Sequence, residues 1–491
     1  MISSLLFSSG CLPEQPAALL PISVLFAEST PADAEPTQEI GLLPTRPVFQ
    51  PGELVDYSAQ AGDTLPVLAS RFNTTVQEIR TANPIIPDSA TTMPPGMPMK
   101  IPIYYQPLWG TSFQIIPDSL FINGPAQRDF DAVAFVDQQP GWLKSHVDYA
   151  GGDNRRGGEI INFIATNYSV SPRLLLALAE YQTGALTQTE SPDPQDRYLF
   201  GQVDYHSEGF YRQMTWVADQ LNAYYYRVRS GDLLSFELSD GRLERPDPWQ
   251  NPATVALQVY FSRTYSPDLY QRAISNVGLA QTYSKLFGDP WRALEAHIPG
   301  SLTQPEFSLP FEKGKIWAFT GGPHSAWGEE GSPLAAIDFA PPSVAAGCKS
   351  SDEWVTAVAD GVVARTGTGI VVLDLDGDGD ERTGWVVFYL HLQTDSIPPF
   401  GTRLKTGERV GHPSCEGGIS TGTHVHMARK FNGEWVLAES ILSFNMEGWE
   451  VRYGGIPYQG RMIKKEKTVN ACVCSDGASF IQSLGQLPLL P

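Results

Sequence analysis

The hydrophobic pattern changes its period along the chain. Between 55 and 103 it is compact. LVDYSAQ alternates as a strand, AGDT turns the chain, and LPVLASRF puts Leu65, Leu68, Ala69 and Phe72 on one helical stripe. Thr75 and Glu78 then write a capping box, TVQE, for a second helix. Asn83-Pro84 stops it, and PPGMPMKIP leads into a closing strand. Residues 106–155 mix Gly, Pro, Asp and Trp at irregular spacing and predict no strong element. From 157 to 300 the period is helical. Ile160, Phe163, Ile164 and Tyr168 share a face, Ser171-Pro172 opens a second helix, and Phe210, Met214, Val217 and Leu221 mark a third. LLSFELSDGRL interrupts the series as a hairpin around Asp240-Gly241. Further helices fall within NPATVALQVYFSRTY and SPDLYQRAISNVGLAQTYSKLFGDPW. From Pro305 onward, strands take over.

This pattern predicts a multidomain chain. Its parts are a leader (1–27), a disordered Pro-rich linker (28–54), a small βααβ module (55–105), a mainly helical domain (106–300), an antiparallel all-β domain (305–445) and an extension of strands and turns (446–491). At 491 residues the chain exceeds one compact core. A net charge of −20 argues against nucleic acid as a partner and against adhesion to acidic polymers by charge. No run reaches the ~18–20 apolar residues of a membrane-spanning helix. AALLPISVLFA has the length of a signal-peptide core, yet no Lys or Arg precedes Arg46. Cys11, after the apolar LLFSS-Gly, is a candidate lipid-attachment residue.

The chemistry concentrates in residues 417–430, GGISTGTHVHMARK. His424 and His426 are two apart on an expected strand, so both imidazoles project to one face. His324, Asp338 and His391 lie upstream in TGGPH, PLAAIDFAPP and FYLHLQ, in a chain with 8 His. Three such groups and a water make an open tetrahedral zinc site. Two remaining imidazoles can serve proton transfer.

With these segments in view, residues 305–445 resemble the lysostaphin/LytM-type zinc metallo-endopeptidases, which cut peptide cross-links of bacterial peptidoglycan. AVADGVVARTG is similar to the strand–turn–strand that follows the family's Asp, FGTRLKTGERVGHP to its paired Gly turns, and STGTHVH to its S-T-G-x-H-x-H strand. Many members carry H-x-x-x-D, but four positions before Asp338 stands Leu334. The resemblance is to the staphylolysin-like branch, whose first ligand sits in G-G-x-H. It implies His324, Asp338 and His426 as ligands of Zn²⁺, and His391 and His424 as the catalytic pair. Cys348 and Cys415 flank this groove and are the pair expected to form a disulfide. Cys472 and Cys474 are too close in sequence to favour a bridge between them, and their C-x-C is a weak zinc signal.

The βααβ unit resembles the LysM module, a binder of N-acetylglucosamine-containing polymers. Its IIPDSATTMPP connection, which lines that family's sugar groove, is longer than typical. The helical stretch carries a fainter resemblance, to goose-type lysozymes and lytic transglycosylases. Where that family has the acid of E-S-G, this chain has Gln182-Thr183-Gly184, and an amide cannot protonate a glycosidic oxygen. Glu180 lies on another helix face, so no glycosidase activity is expected. Asp374, Asp376, Asp378 and Asp380 begin like a calcium loop, but the twelfth position is Trp385 where a bidentate Glu is needed, so an acidic hairpin tip is expected. Together the resemblances imply an extracellular or envelope enzyme. Its partners would be the glycan, through LysM, and the stem or cross-link peptide at the zinc site. The rival expectation is an inactive wall-binding scaffold or regulator on the same fold.

Overall fold

The computed structural model describes residues 43–485, except 194, 196, 293–294, 329–332, 344–345 and 474–475. The leader, Cys11 and the linker before residue 43 lie outside the described residues. From 43 the expected linker is docked. Pro44 O accepts from Ser112 N and Thr111 Oγ1, and Arg46 pairs with Asp247 at 2.6 Å while lying over the Trp249 ring.

The chain is multidomain, as its periods predict. In the first module, strand Glu53–Ser58 pairs antiparallel with Pro98–Ile103, and helices Leu65–Arg71 and Val76–Ala82 lie between them in sequence. Both halves of the Thr75–Glu78 capping box form, which supports the second helix by about 1 kcal/mol. The middle holds helices Gly157–Tyr168, Pro172–Thr183, Phe210–Ser230 and Pro252–Thr264. The last predicted helix is two, Pro267–Ala273 and Leu279–Phe287, because the chain turns between Ile274 and Gly278. The stretch without a predicted element contains short helices, Asp118–Phe121 and Ala132–Asp137, and a hairpin of Val147–Ala150 with Asp153–Arg156. Elements this short carry too little periodicity to read.

The C-terminal sheet is antiparallel. Its neighbours run Arg403–Leu404, Gly361–Gly367, Ile370–Asp374, Trp385–Leu390, Val425–Phe431, Leu334–Ala340, Ile316–Ser325 and Phe480–Gln482. Alternation divides it cleanly. Val371, Val387, Tyr389, Val425, Met427, Ile337 and Phe339 face one core, closed by Phe311, Phe444, Met446 and Val451. Val372, Val386, Phe388, Ala428 and Ala336 face the other way, into a core continuous with Leu174, Tyr225 and Tyr226 of the helical region. The sheet is therefore buried on both faces, and the helical region is part of its packing.

Buried ion pairs reinforce that contact. Glu434, on the strand Glu434–Trp435 beside Val425–Phe431, receives Arg229 Nε at 3.0 Å, His297 Nε2 at 2.7 Å and the Tyr225 hydroxyl at 2.8 Å. Arg229 also reaches Asp118 at 3.3 Å and Ala61 O at 2.7 Å. One guanidinium thus ties the first module, the helical region and the sheet together.

Candidate metal centre

The site is assembled by strand order. His426 lies on Val425–Phe431, opposite Asp338 on one side and Leu390 on the other. His391 follows Leu390 at φ 63, which turns its ring out of the strand. His324 lies on Ile316–Ser325, whose register against Leu334–Ala340 shifts repeatedly between Phe319 and Ser325. Such bulges re-aim side chains. Gly321 allows the close approach, since a Cβ there would meet Asp338 Oδ2 at 2.4 Å.

Second contacts fix each imidazole. His324 Nδ1 donates to Gly322 O at 2.8 Å, and His426 Nε2 donates to Ala326 O at 3.1 Å. His391 Nδ1 donates to Glu416 O at 2.9 Å, and His424 Nδ1 to Gly422 O at 2.7 Å. A carbonyl can only accept, so the opposite nitrogen of each neutral ring carries a lone pair. For His324 and His426 those lone pairs meet 3.0 Å apart. Both lie near Asp338 Oδ1, at 3.2 and 3.3 Å. That oxygen is buried and has no hydrogen-bond partner. These short separations are spacings between acceptors, and acceptors packed this way repel each other unless a cation lies among them. His324, Asp338 and His426 are one of two groups among the described residues whose ligand atoms could hold a metal. Two imidazole nitrogens and one carboxylate suit zinc.

Burial opposes the charge on Asp338, yet His324 and His424 hold its carboxyl well below the usual range. Burial likewise works against a charged His324, but the Asp338 carboxylate raises that ring. His426 is lowered by burial. Burial, with His424 and His426 beside it, pushes His391 down to about 3, so this ring is neutral at ordinary pH. His424 Nε2 stands 3.8 Å from Asp338 Oδ1, and its side chain is the most open of the set at 17% exposed.

The expected disulfide is present, with Cys348 and Cys415 joined at a Cα separation of 5.8 Å. It ties together the loops beside His424, which are also joined where Lys349 N donates to Thr423 Oγ1 at 2.8 Å. Cys472 is disulfide-bonded as well, which removes the zinc reading of its C-x-C. The other metal-capable group, Asp374, Asp376 and Asp378, is the expected hairpin tip. There Asp378 pairs with Arg128, and Asp380 with Arg128 and Arg382.

Tyr458 belongs to the site and was missed in the sequence. Its ring stacks on His324 at 4.1 Å, its carbonyl accepts from Gly322 N at 2.8 Å, and it is half exposed. It comes from the C-terminal extension, where nothing in PYQG announces a site residue. In the helical region the Glu180 carboxylate is occupied locally, accepting from Leu186 N at 2.7 Å and Thr187 Oγ1 at 2.6 Å. Gln182 Oε1 accepts from the Tyr260 hydroxyl at 2.7 Å.

Comparison with known proteins agrees with this anatomy. The profile of the LysM domain matches residues 57–102, and that of the LasA N-terminal domain matches residues 114–300. The chain is 25% identical over 338 residues to protease LasA of Pseudomonas aeruginosa, covering 65% of this chain and 74% of the relative. It is 28% identical over 155 residues to a beta-lytic metalloendopeptidase of Achromobacter lyticus, covering 30% of this chain and 37% of the relative. Pseudoalterin, a deep-sea M23 metalloprotease of known structure, matches 34% of this chain and 96% of its own, at 23% identity and a TM-score of 0.30. The protein is a metallopeptidase. It carries a LysM domain and a LasA-type N-terminal domain, its relatives by sequence are a protease and a metalloendopeptidase, and its His324, Asp338 and His426 group suits a zinc cofactor.

Proposed function

We propose that the protein is an exported cell-wall hydrolase that cuts peptide cross-links of bacterial peptidoglycan, held to the glycan by its LysM domain. The observation that carries the reading is the meeting of His324 Nε2, Asp338 Oδ1 and His426 Nδ1 beside two further imidazoles. These three residues would hold the zinc. Bound there, zinc supplies Lewis acidity, which brings the pKa of water towards ~7 and polarises a scissile carbonyl.

The chain's own residues do the rest. Gly322 O and Ala326 O hold two ligand rings in the tautomers that present lone pairs to the metal. His391 and His424 stand with ring centroids 4.6 Å apart, and each has its Nδ1 proton committed to a carbonyl. Their Nε2 atoms are the groups placed to take the proton of the attacking water and return it to the leaving amine. Gly418 borders this pair, since a Cβ there would stand 3.4 Å from His391 Cε1, whereas Gly417 is a glycine because the chain packs there against Thr368 O.

The test is incubation of the purified protein with defined cross-linked muropeptides, followed by mass spectrometry. Cleavage at a peptide bond that stops on chelation and returns with zinc is the expected result. Zinc-loaded protein that binds sacculi and cleaves none of them would instead identify a scaffold.

A further inference from the structure

A cavity of about 260 Å³ lies between the LysM module and the helical region, far in sequence from the metal centre. Two of the charged groups that line it are already neutralised. Arg71 pairs with Asp63 at 3.0 Å, and Asp247 with Arg46 at 2.6 Å. Arg245 is different. Among the described residues it makes no ion pair, and its side chain makes a single long hydrogen bond, to Leu234 O at 3.4 Å. Its neighbour Glu244 is engaged elsewhere, accepting from the Tyr270 hydroxyl at 2.8 Å.

Two amides line the same cavity. Gln106 makes no side-chain hydrogen bond among the described residues, and Asn73 makes only a 3.4 Å bond to Tyr104 O. Much of the remaining lining is apolar. Trp109 is braced by Tyr105 at a ring separation of 4.9 Å, and Leu234 is 55% exposed.

In a chain of net charge −20, a solvent-accessible guanidinium at the cavity with no carboxylate partner among the described residues can pair with one from outside. The guanidinium fork matches a carboxylate through paired hydrogen bonds. A sugar ring would call on several hydroxyl partners, whereas the free groups here are one cation and two amides. The amides suit a peptide group, and the indole and leucine suit a small alkyl side chain.

We propose that this cavity binds the free carboxylate end of a short peptide with small apolar side chains. Arg245 pairs with the carboxylate, Gln106 and Asn73 meet the last peptide group, and Trp109 and Leu234 cover the side chain. Peptide-bond hydrolysis creates such ends, so the site would hold the enzyme on strands already cut. That consequence rests on the proposed activity, whereas the binding itself does not.

The test titrates the full-length protein with acetyl-alanyl-alanine and with its C-terminal amide, by calorimetry, in zinc and again after chelation. The acid should bind in both states, and the amide about tenfold more weakly or worse. Arg245→Gln should weaken the acid by a similar factor. Arg242→Gln, on the same hairpin but paired with Asp240, should leave it unchanged. Equal binding of acid and amide, unchanged affinity in Arg245→Gln, or binding only with zinc present would each overturn the proposal. Muropeptide cleavage, measured separately, reports on the peptidase reading whatever this site does.

Discussion

His324 Nε2 and His426 Nδ1 face each other at 3.0 Å, and the protons of both rings are held on the far side by Gly322 O and Ala326 O. Lone pair against lone pair, beside the unpartnered Asp338 Oδ1, is an arrangement that a cation stabilises. His324→Ala, Asp338→Ala and His426→Ala are therefore expected to abolish zinc binding, as read by metal content after dialysis. Replacing Leu334 with another apolar residue should keep both zinc and activity. Zinc should also raise the melting temperature, because a ligand bound only by the folded chain adds about 2.7 kcal/mol at 100 times its Kd. Full zinc occupancy in His324→Ala would show that the first ligand is elsewhere.

His391 and His424 should behave differently. Each gives its Nδ1 proton to a carbonyl and neither belongs to the group able to hold the metal. His391→Ala and His424→Ala are expected to retain zinc and to lose about 10²-fold or more in hydrolysis. Loss of metal in His424→Ala with retention in His426→Ala would exchange the roles of the two.

The site residues were legible because their chemistry is rare in this chain and their strands alternate. Asp338 stands out as the polar position of the apolar strand LAAIDFA, and His426 through the H-x-H it forms with His424. Their meeting was not legible, since it depends on Leu334–Ala340 pairing with Val425–Phe431, a relation set by sheet order rather than local pattern. Trp385–Leu390, WVVFYL, is buried at every position. A continuous apolar run does not say what covers its second face, so the shared core with the helical region was invisible. Tyr458 reaches His324 through a turn after Trp449–Tyr453, where the sequence holds no chemical signal at all.

That shared core predicts joint unfolding. The Glu434 carboxyl lies at about 2 against an ordinary 4.5: burial opposes its charge, and Arg229 and His297 overcome that. A lowered folded pKa means that the unfolded chain binds more protons. The stabilisation is therefore complete above pH ~4.5 and is lost as pH falls towards ~2, a contribution of about 3 kcal/mol. Asp118 in the same cluster is shifted upward by burial and works in the opposite sense, so the net loss is smaller. Glu434→Gln should cost about 3–5 kcal/mol by leaving Arg229 without its main partner. Calorimetry should show helical and sheet regions melting together, and two separated transitions in the wild type would contradict the shared core.

The LysM module should bind glycan better alone than within the chain. In the intact protein its long connection is engaged. Thr91 and Thr92 donate to Leu302 O at 2.6 Å and Pro299 O at 2.7 Å, and Ser301 N returns a bond to Thr92 O at 2.8 Å. Residues 51–105 alone are expected to pull down with insoluble peptidoglycan or chitin, with little dependence on salt because the chain is acidic. The full chain should bind less. Equal binding by both would mean that this connection takes no part in recognition.

The helical region, which matches the LasA N-terminal domain, is where the faint lysozyme-like resemblance and the residue chemistry part. Cleaving a glycosidic bond calls for a carboxylic acid presented in protonated form to the bridging oxygen. Gln182 cannot supply that proton, and its amide oxygen is already held by Tyr260. Glu180, the nearest acid on the same helix, spends both carboxylate oxygens on Leu186 N and Thr187 Oγ1, where it supports the turn that follows Gly184. The full-length protein should therefore release no reducing ends or anhydro-sugars from purified glycan strands. Gln182→Glu should not create that activity. Glu180→Gln should instead lower the melting temperature, because a donor in the turn loses a charged acceptor, at a cost of about 1–3 kcal/mol. Glycan cleavage that survives chelation and disappears in Glu180→Gln would make this a two-activity wall hydrolase.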